Sequence, residues 1–261
     1  MRLRNTSGGE LLSTTEPHVI DDLIVLGRAV SEHISGGRVI ICVAGYSPCH
    51  GFIRIYPTTY DSPLKRWNIV RVPVEKNPHD SREESWKIQG SNKDWDRLAK
   101  KIEVVDRLPE KRQPDLVTQL LDGCVKDINI AHRSLGIVQP REIIKTYFKE
   151  ERRYDATFQE TLLGGFRPRT NDEYERLPYV RYRCSECKVT RYHDQQLLEW
   201  GVFEWIRKNP RKAEQVWDNL GLKSPDWVPF FFVGNQFQTH IEYPKYHTEK
   251  CGKSNRPRES R

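Results

Sequence analysis

Cys184 and Cys187 are separated by two residues, and His193 follows six positions after the second. Two thiolates at this spacing grip one cation from a tight knuckle, and an imidazole supplies a third corner of a tetrahedral zinc site. The predicted cofactor is zinc on Cys184, Cys187 and His193, with Cys251, His247, His240 or a water as the fourth ligand. Two other readings use the same residues. In one, the thiols bind nothing and His193 caps a helix. In the other, the pair is a thioredoxin-like redox couple. The redox reading is the weaker, because a redox helix begins at its motif and Lys188 to Tyr192 intervene here.

The residues just after this knuckle carry the next set of functional groups. Asp194 is the expected N-cap of a helix, with Leu197, Leu198, Gly201, Val202, Trp205 and Ile206 on one apolar face until Asn209-Pro210 ends it. Such a helix start attracts anions. Gln195 and Gln196 can then donate amide hydrogens to a phosphate or a base edge. His193, Asp194 and Glu199 form the candidate catalytic set, with Glu199 as general base on a metal-bound water. The alternative is a capped amphipathic helix with a solvated polar face.

A third constellation lies nearer the N-terminus. Arg54, Tyr56, Trp67 and Arg71 interleave cations with aromatic rings on two predicted strands. Barrels that hold single-stranded nucleic acid use this mixture, with stacking on the rings and a basic groove for the backbone. The competing reading puts Tyr56 and Trp67 in the core. Asp80, Arg82, Glu83 and Glu84 around Trp86 read as a solvated loop, and Cys49-His50 reads as a structural turn. No phosphate-binding loop, nucleophile elbow or H-E-x-x-H motif is present.

The elements that position these residues are short. Leu23 to Leu26, Arg38 to Ala44, Phe52 to Tyr56 and Asn68 to Val74 are β-branched or aromatic runs punctuated by Gly and Pro, and Pro73 suggests an edge strand. Pro114 to Asp127 reads as a helix with Leu116, Val117, Leu120, Leu121 and Cys124 on one face. Arg141 to Lys149 and Tyr179 to Arg183 read as extended, Lys212 to Leu220 as a second short helix, and Phe230 to Val233 as a buried strand. Glu150 to Asn171, charged and then Gly/Pro-containing, is the expected boundary.

The resulting organisation is a leader (1–18), an OB-like β-rich domain (19–150), a smaller domain with the Cys/His knuckle (172–243) and a basic tail (244–261). The fold class is α+β, an N-terminal OB-like β-barrel followed by a smaller α/β domain.

Lys and Arg number 43 against 36 Asp and Glu, a net charge of +7, which suits a polyanionic partner. No apolar run reaches the ~18–20 residues of a membrane helix. The first 17 residues lack the apolar core of a secretory signal. A cytoplasmic location is therefore expected, with the six cysteines as reduced thiols or metal ligands rather than disulfides.

Two stretches also resemble uncharacterised prokaryotic proteins built around a dual OB-containing domain. The first is Leu23-Ile24-Val25-Leu26, Val43-Ala44-Gly45-Tyr46, Gly51 to Pro57 and Asp80 to Ile88. The second is Cys184-x2-Cys187, His193, Glu199-Trp200 and Phe231 to Asn235. The resemblance spans residues 20–240. It implies β-barrels, association with nucleic acid and a setting in mobile-element or defence loci, and it implies no reaction.

The leading expectation is a nucleic-acid-associated accessory protein that binds DNA or RNA, most readily single-stranded. A metal-assisted nuclease or other nucleic-acid hydrolase using His193, Asp194 and Glu199 is the alternative. A protein–protein adaptor is the third.

Overall fold

The computed structural model describes residues 18–34, 38–77, 80–90, 92–150, 174–222 and 224–234. The leader, the basic tail, most of the expected boundary segment and the proposed ligands His240, His247 and Cys251 lie outside the described residues. The expected α+β class is the class observed.

The N-terminal part is a closed five-stranded barrel. Its strands are β1 (His18–Arg28), β3 (Arg38–Ser47), β4 (Gly51–Thr58), β5 (Asn68–Lys76) and β6 (Ser85–Ile88), with a short β2 (Glu32–Ile34) paired to β3. The hydrogen-bonded order is β1-β3-β4-β6-β5, and β1 pairs again with β5 to close the ring. All of these pairings are antiparallel except β4 with β6. Alternate residues point inward, so Ile20, Leu23, Val25, Ile41, Val43, Ile53, Ile55, Val70, Val72, Val74 and Ile88 fill the interior with at most 2% exposure.

β1 is long enough to serve both neighbours. His18 to Ile24 faces β5 and Ile24 to Arg28 faces β3, with a register shift in each half. Such bulges bend a strand sharply enough to turn a sheet into a barrel. At Gly45 the two backbones approach so closely that a Cβ would stand 2.3 Å from the carbonyl oxygen of Ile24.

Pro73 is not at an edge. One side of β5 pairs with β1, and the other is shared by β7 (Glu103–Arg107) at Asn68 to Arg71 and by β6 at Val74 to Lys76. Pro73 accepts from Gln89 N–H on that shared side, at 2.9 Å. Its missing donor falls in the gap where one partner strand hands over to the other, so no ladder bond is lost.

The chain then leaves the barrel through α1 (Gln113–Gln119), β8 (Leu121–Asp122), α2 (Val125–Ile130) and β9 (Leu135–Val138). The single helix expected over Pro114 to Asp127 is therefore two helices interrupted by a strand. The interruption exists because Leu121 and Asp122 pair in parallel with Ile137 and Val138 of β9, whose other edge takes β13 (Phe231–Gly234). A second sheet contains β10 (Pro140–Glu150), β11 (Arg176–Cys184) and β12 (His193–Gln196) in that order. Two further helices follow, α3 (Trp200–Lys208) and, after a 3-10 turn over Pro210–Gln215, α4 (Val216–Asn219). No helix among the described residues is long and apolar enough to cross a membrane.

One outer face of the barrel is covered by this second part. Ile24, Leu26, Tyr46, Phe52 and Ile69 meet Leu116, Leu120, Ile137 and Phe232 in one apolar cluster, with the Phe52 and Phe232 rings 6.0 Å apart. Beside it sits a polar latch. The guanidinium of Arg54, only 8% exposed, donates to Ser134 Oγ at 2.9 Å and to Cys42 Sγ at 3.4 Å. Ser134 N–H in turn donates to Glu84 at 2.7 Å. A buried cation survives only with such partners.

Candidate metal centre

The knuckle predicted at Cys184 forms where β11 ends. Cys184 is the last residue of that strand and is fully buried, because alternation along β11 puts Val180, Tyr182 and Cys184 on the inward face. The chain turns through Ser185 and Glu186 to Cys187 and returns as β12, whose first residue, His193, pairs with Tyr182. His193 therefore also faces inward, with its Nε2 3.5 Å from Cys187 Sγ.

The fourth donor is Cys124, 69 residues before His193 in the chain. Its sulfur is 3.4 Å from His193 Nε2 and fully buried. The four donor atoms of Cys124, Cys184, Cys187 and His193 all lie within 4.8 Å of one another. Tetrahedral bonds of about 2.0–2.3 Å place neighbouring donors roughly 3.3–3.9 Å apart, and the separations of His193 Nε2 from Cys124 and Cys187 fall in that range. A water is therefore not needed as fourth ligand.

Two backbone turns grip the cluster reciprocally. The amide following Cys187, that of Lys188, donates to Cys124 Sγ at 3.4 Å, as does Lys126 at the start of α2. The amide following Cys124, that of Val125, donates to Cys184. Glu186 N–H closes on Gly123 carbonyl oxygen at 3.1 Å. At Gly123 a Cβ would lie 3.1 Å from the Cβ of Glu186, a contact that only a small shift of the two turns would accommodate.

Without a cation this donor set stays uncharged. Burial, reinforced by the neighbouring sulfurs of Cys124 and Cys187, pushes the Cys184 thiol up to about 12. Burial likewise pushes His193 below its usual range, which keeps the imidazole neutral as a ligand must be. A bound cation reverses the thiol preference outright, since coordination deprotonates a thiol. The cluster of three sulfurs, those of Cys124 and Cys184 buried, and one neutral nitrogen thus fits a metal ion. The Tyr182 ring braces it, 5.3 Å from the His193 ring and 4.8 Å from that of Phe231.

The remaining predicted site residues do not gather around this cluster. No helix begins at Asp194. Residues 193–196 form a strand because they pair with Tyr179 to Tyr182 at the edge of β11. α3 starts at Trp200 and is capped instead by Glu199, whose carboxylate accepts from Val202 N–H at 3.1 Å. On a strand, neighbours face opposite ways. His193 points inward, while Asp194 points outward, accepting from Arg181 at 2.7 Å and from the Tyr147 hydroxyl at 2.9 Å. His193, Asp194 and Glu199 are thus a donor of the cluster, a surface ion pair and a helix cap.

The residues expected to touch nucleic acid are also dispersed. Arg54 is the buried latch described above. Arg71 is exposed on β5, bound to Asp21 at 2.6 Å and Glu103 at 3.1 Å. Trp67 is half-buried against the apolar cluster between barrel and second part, and Tyr56 is half-buried on β4. Gln195 faces inward and accepts from Tyr182, whereas Gln196 faces outward opposite Tyr179.

Cys124 was the residue missed. Its helical spacing with Leu120 and Leu121 made it look like core, and its distance from the knuckle hides it from any local motif. The Gly-Cys pair ahead of a new helix was the available signal.

Residues 20–121 match a family described as a domain of unknown function, DUF8758, and residues 117–246 match a second, DUF8757. The chain thus carries two adjacent domains, the barrel from Ile20 onward in the first and all four donors of the cluster within the second. Among curated proteins and solved structures, none matches the chain.

Proposed function

We propose that this chain is a nucleic-acid-binding accessory protein whose barrel is of the OB type and whose Cys/His cluster is a structural zinc site. The observation that carries the reading is the strand order of the barrel. Counting the five barrel strands in chain order, the ring runs first, second, third, fifth, fourth, with the third and fifth parallel. That is the Greek-key arrangement of OB barrels, which bind oligonucleotides and oligosaccharides. The net charge of +7 favours the polyanion of these two.

Three sulfurs and one imidazole, all within 4.8 Å of one another, suit zinc among the common cations. Four protein donors leave no position for a water, which favours a scaffold over a hydrolytic centre and weighs against a metal-assisted nuclease.

The test is fluorescence anisotropy of labelled single-stranded DNA and RNA over a salt series, with zinc content measured on the same protein. Affinity falling linearly on a log–log salt plot, with one equivalent of zinc, is expected. No measurable binding at the lowest salt refutes the nucleic-acid reading.

A second reading, a protein–protein adaptor, is favoured by Trp227 and Val228, which stand 72% and 60% exposed beside a 260 Å³ hollow lined by Pro140, Ile143 and Leu222. It predicts no salt-dependent oligonucleotide binding and a stable protein complex.

A further inference from the structure

The sheet β10-β11-β12 has two faces with opposite chemistry. The inward face carries Val180, Tyr182 and His193 and closes over the metal cluster. The outward face carries a continuous row of rings and cations. The Arg181 guanidinium lies 4.3 Å from the centroid of the Tyr192 ring and 5.8 Å from that of Tyr147. The Tyr147 ring lies 5.7 Å from that of Tyr179. Lys145 and Lys149 flank the row, 5.0 Å and 5.7 Å from Tyr147 and Tyr179 respectively. Strand register requires this alignment, since Lys145, Arg181 and Asp194 stand side by side, as do Tyr147, Tyr179 and Gln196.

The charge balance of the face is positive. Lys145, Lys149, Arg181 and Arg183 stand against Asp194 and Glu142. Asp194 holds Arg181 and the Tyr147 hydroxyl in place, so the row is ordered before any ligand arrives. Tyr192 is 37% exposed, and both lysines are exposed.

We infer that this outward face of the β10-β11-β12 sheet is a second contact for single-stranded nucleic acid, beside that of the barrel. The inference rests on the nucleic-acid reading above and extends its contact. Two observations favour it. Three of the four barrel groups expected to bind are engaged elsewhere, Arg54 in the latch, Trp67 in the inter-domain cluster and Arg71 on two carboxylates. The sheet face offers the exposed Tyr192 ring against Arg181, the half-buried Tyr147 beside it and the exposed Lys145 and Lys149, a mixture of rings and cations that tracks a single strand without reading its sequence. A duplex hides its bases within the helix and would gain only the phosphate contacts.

The experiment compares the full chain with Lys145→Glu/Lys149→Glu, Tyr192→Ala, Tyr192→Phe and, on the barrel, Lys87→Glu. Labelled single-stranded DNA, single-stranded RNA and a duplex are titrated against each. Melting temperature and zinc content confirm that each variant is folded. The double charge reversal is expected to weaken single-strand binding at least tenfold and to flatten its salt slope. Tyr192→Ala is expected to weaken it on the order of fivefold or more, by loss of one stacked base. Tyr192→Phe should restore most of that, and Lys87→Glu should have little effect.

If the wild-type chain binds and the sheet variants bind equally well, the sheet site is wrong while the nucleic-acid reading stands. If polyglutamate competes as well as the oligonucleotide and Tyr192→Ala changes nothing, the face is a general anion surface and the inference fails. If the wild type binds neither strand, both fall together.

Discussion

Cys124→Ser is the sharpest probe of the metal centre, because no local motif points to this residue. The cluster joins Cys124 to His193 across 69 residues of chain. Treated as a cross-link, closing a loop of that length removes roughly 4 kcal/mol of entropy from the unfolded state. A protein of this size loses about 2–4 °C of melting temperature per kcal/mol, so loss of the link should lower the midpoint by about 10 °C. The assay is thermal unfolding of wild type and variant, each with and without a zinc chelator, with metal content measured in parallel. The chelator should lower the wild type to near the variant and leave the variant almost unmoved, since both treatments open the same link. Cys49→Ser, on an exposed turn, and Cys251→Ser should keep the metal and the midpoint. A Cys124→Ser protein that retains one equivalent of metal with an unchanged midpoint would show that Cys124 is a bystander and that the tetrahedral argument is wrong.

Two further outcomes follow from the packing. Arg54→Ala removes a buried cation and leaves Ser134 Oγ without its donor, so stability in urea unfolding should fall by about 2–3 kcal/mol, with m unchanged. An unchanged midpoint would mean that the latch carries no stability. Asp80, 5% exposed, is raised by burial but held below the usual carboxylate range by hydrogen bonds from Arg82 and Ser85, which outweigh it. A depressed folded value means that its contribution is complete above the ordinary carboxylate pKa of about 3.9 and is lost as pH falls through the lower folded value. The gap in melting temperature between wild type and Asp80→Asn should therefore shrink below about pH 4, and a gap that stays constant or widens refutes the assignment.

The barrel was legible because its strands are short β-branched runs with Gly and Pro between them, and because alternation alone decides which residues of such strands turn inward. The knuckle was legible for the same local reason, a strand followed by Cys-x2-Cys and His. What escaped was non-local. Cys124 belongs to the cluster only because β8 pairs with β9 and breaks the helix that periodicity predicts across Pro114 to Asp127. Residues 193–196 became a strand through the free edge of β11, and no residue type in His-Asp-Gln-Gln announces that edge. The same pairing moved the helix start to Glu199 and separated the three residues that looked like a catalytic set. Arg54 reads as a surface cation in a strand, and only the docking of Ser134 against β4 turns it into a buried one. Pro73 reads as an edge residue until the handover between β7 and β6 explains its missing donor.

The separation of the four donors along the chain also sets a timetable. At synthesis rates of about 5–20 residues per second, His193 follows Cys124 from the ribosome by roughly 3–14 s. Throughout that interval the barrel strands are already made, while Ile24, Leu26, Tyr46 and Phe52 still lack Phe232 of β13, which completes their cover. The cluster cannot assemble until its last donor emerges, and Phe232, which seals the barrel face, is made later still. The nascent chain therefore carries an uncovered apolar surface of known position for several seconds, and on the zinc reading proposed above a scarcity of the metal would prolong that state by delaying closure rather than by damaging the barrel.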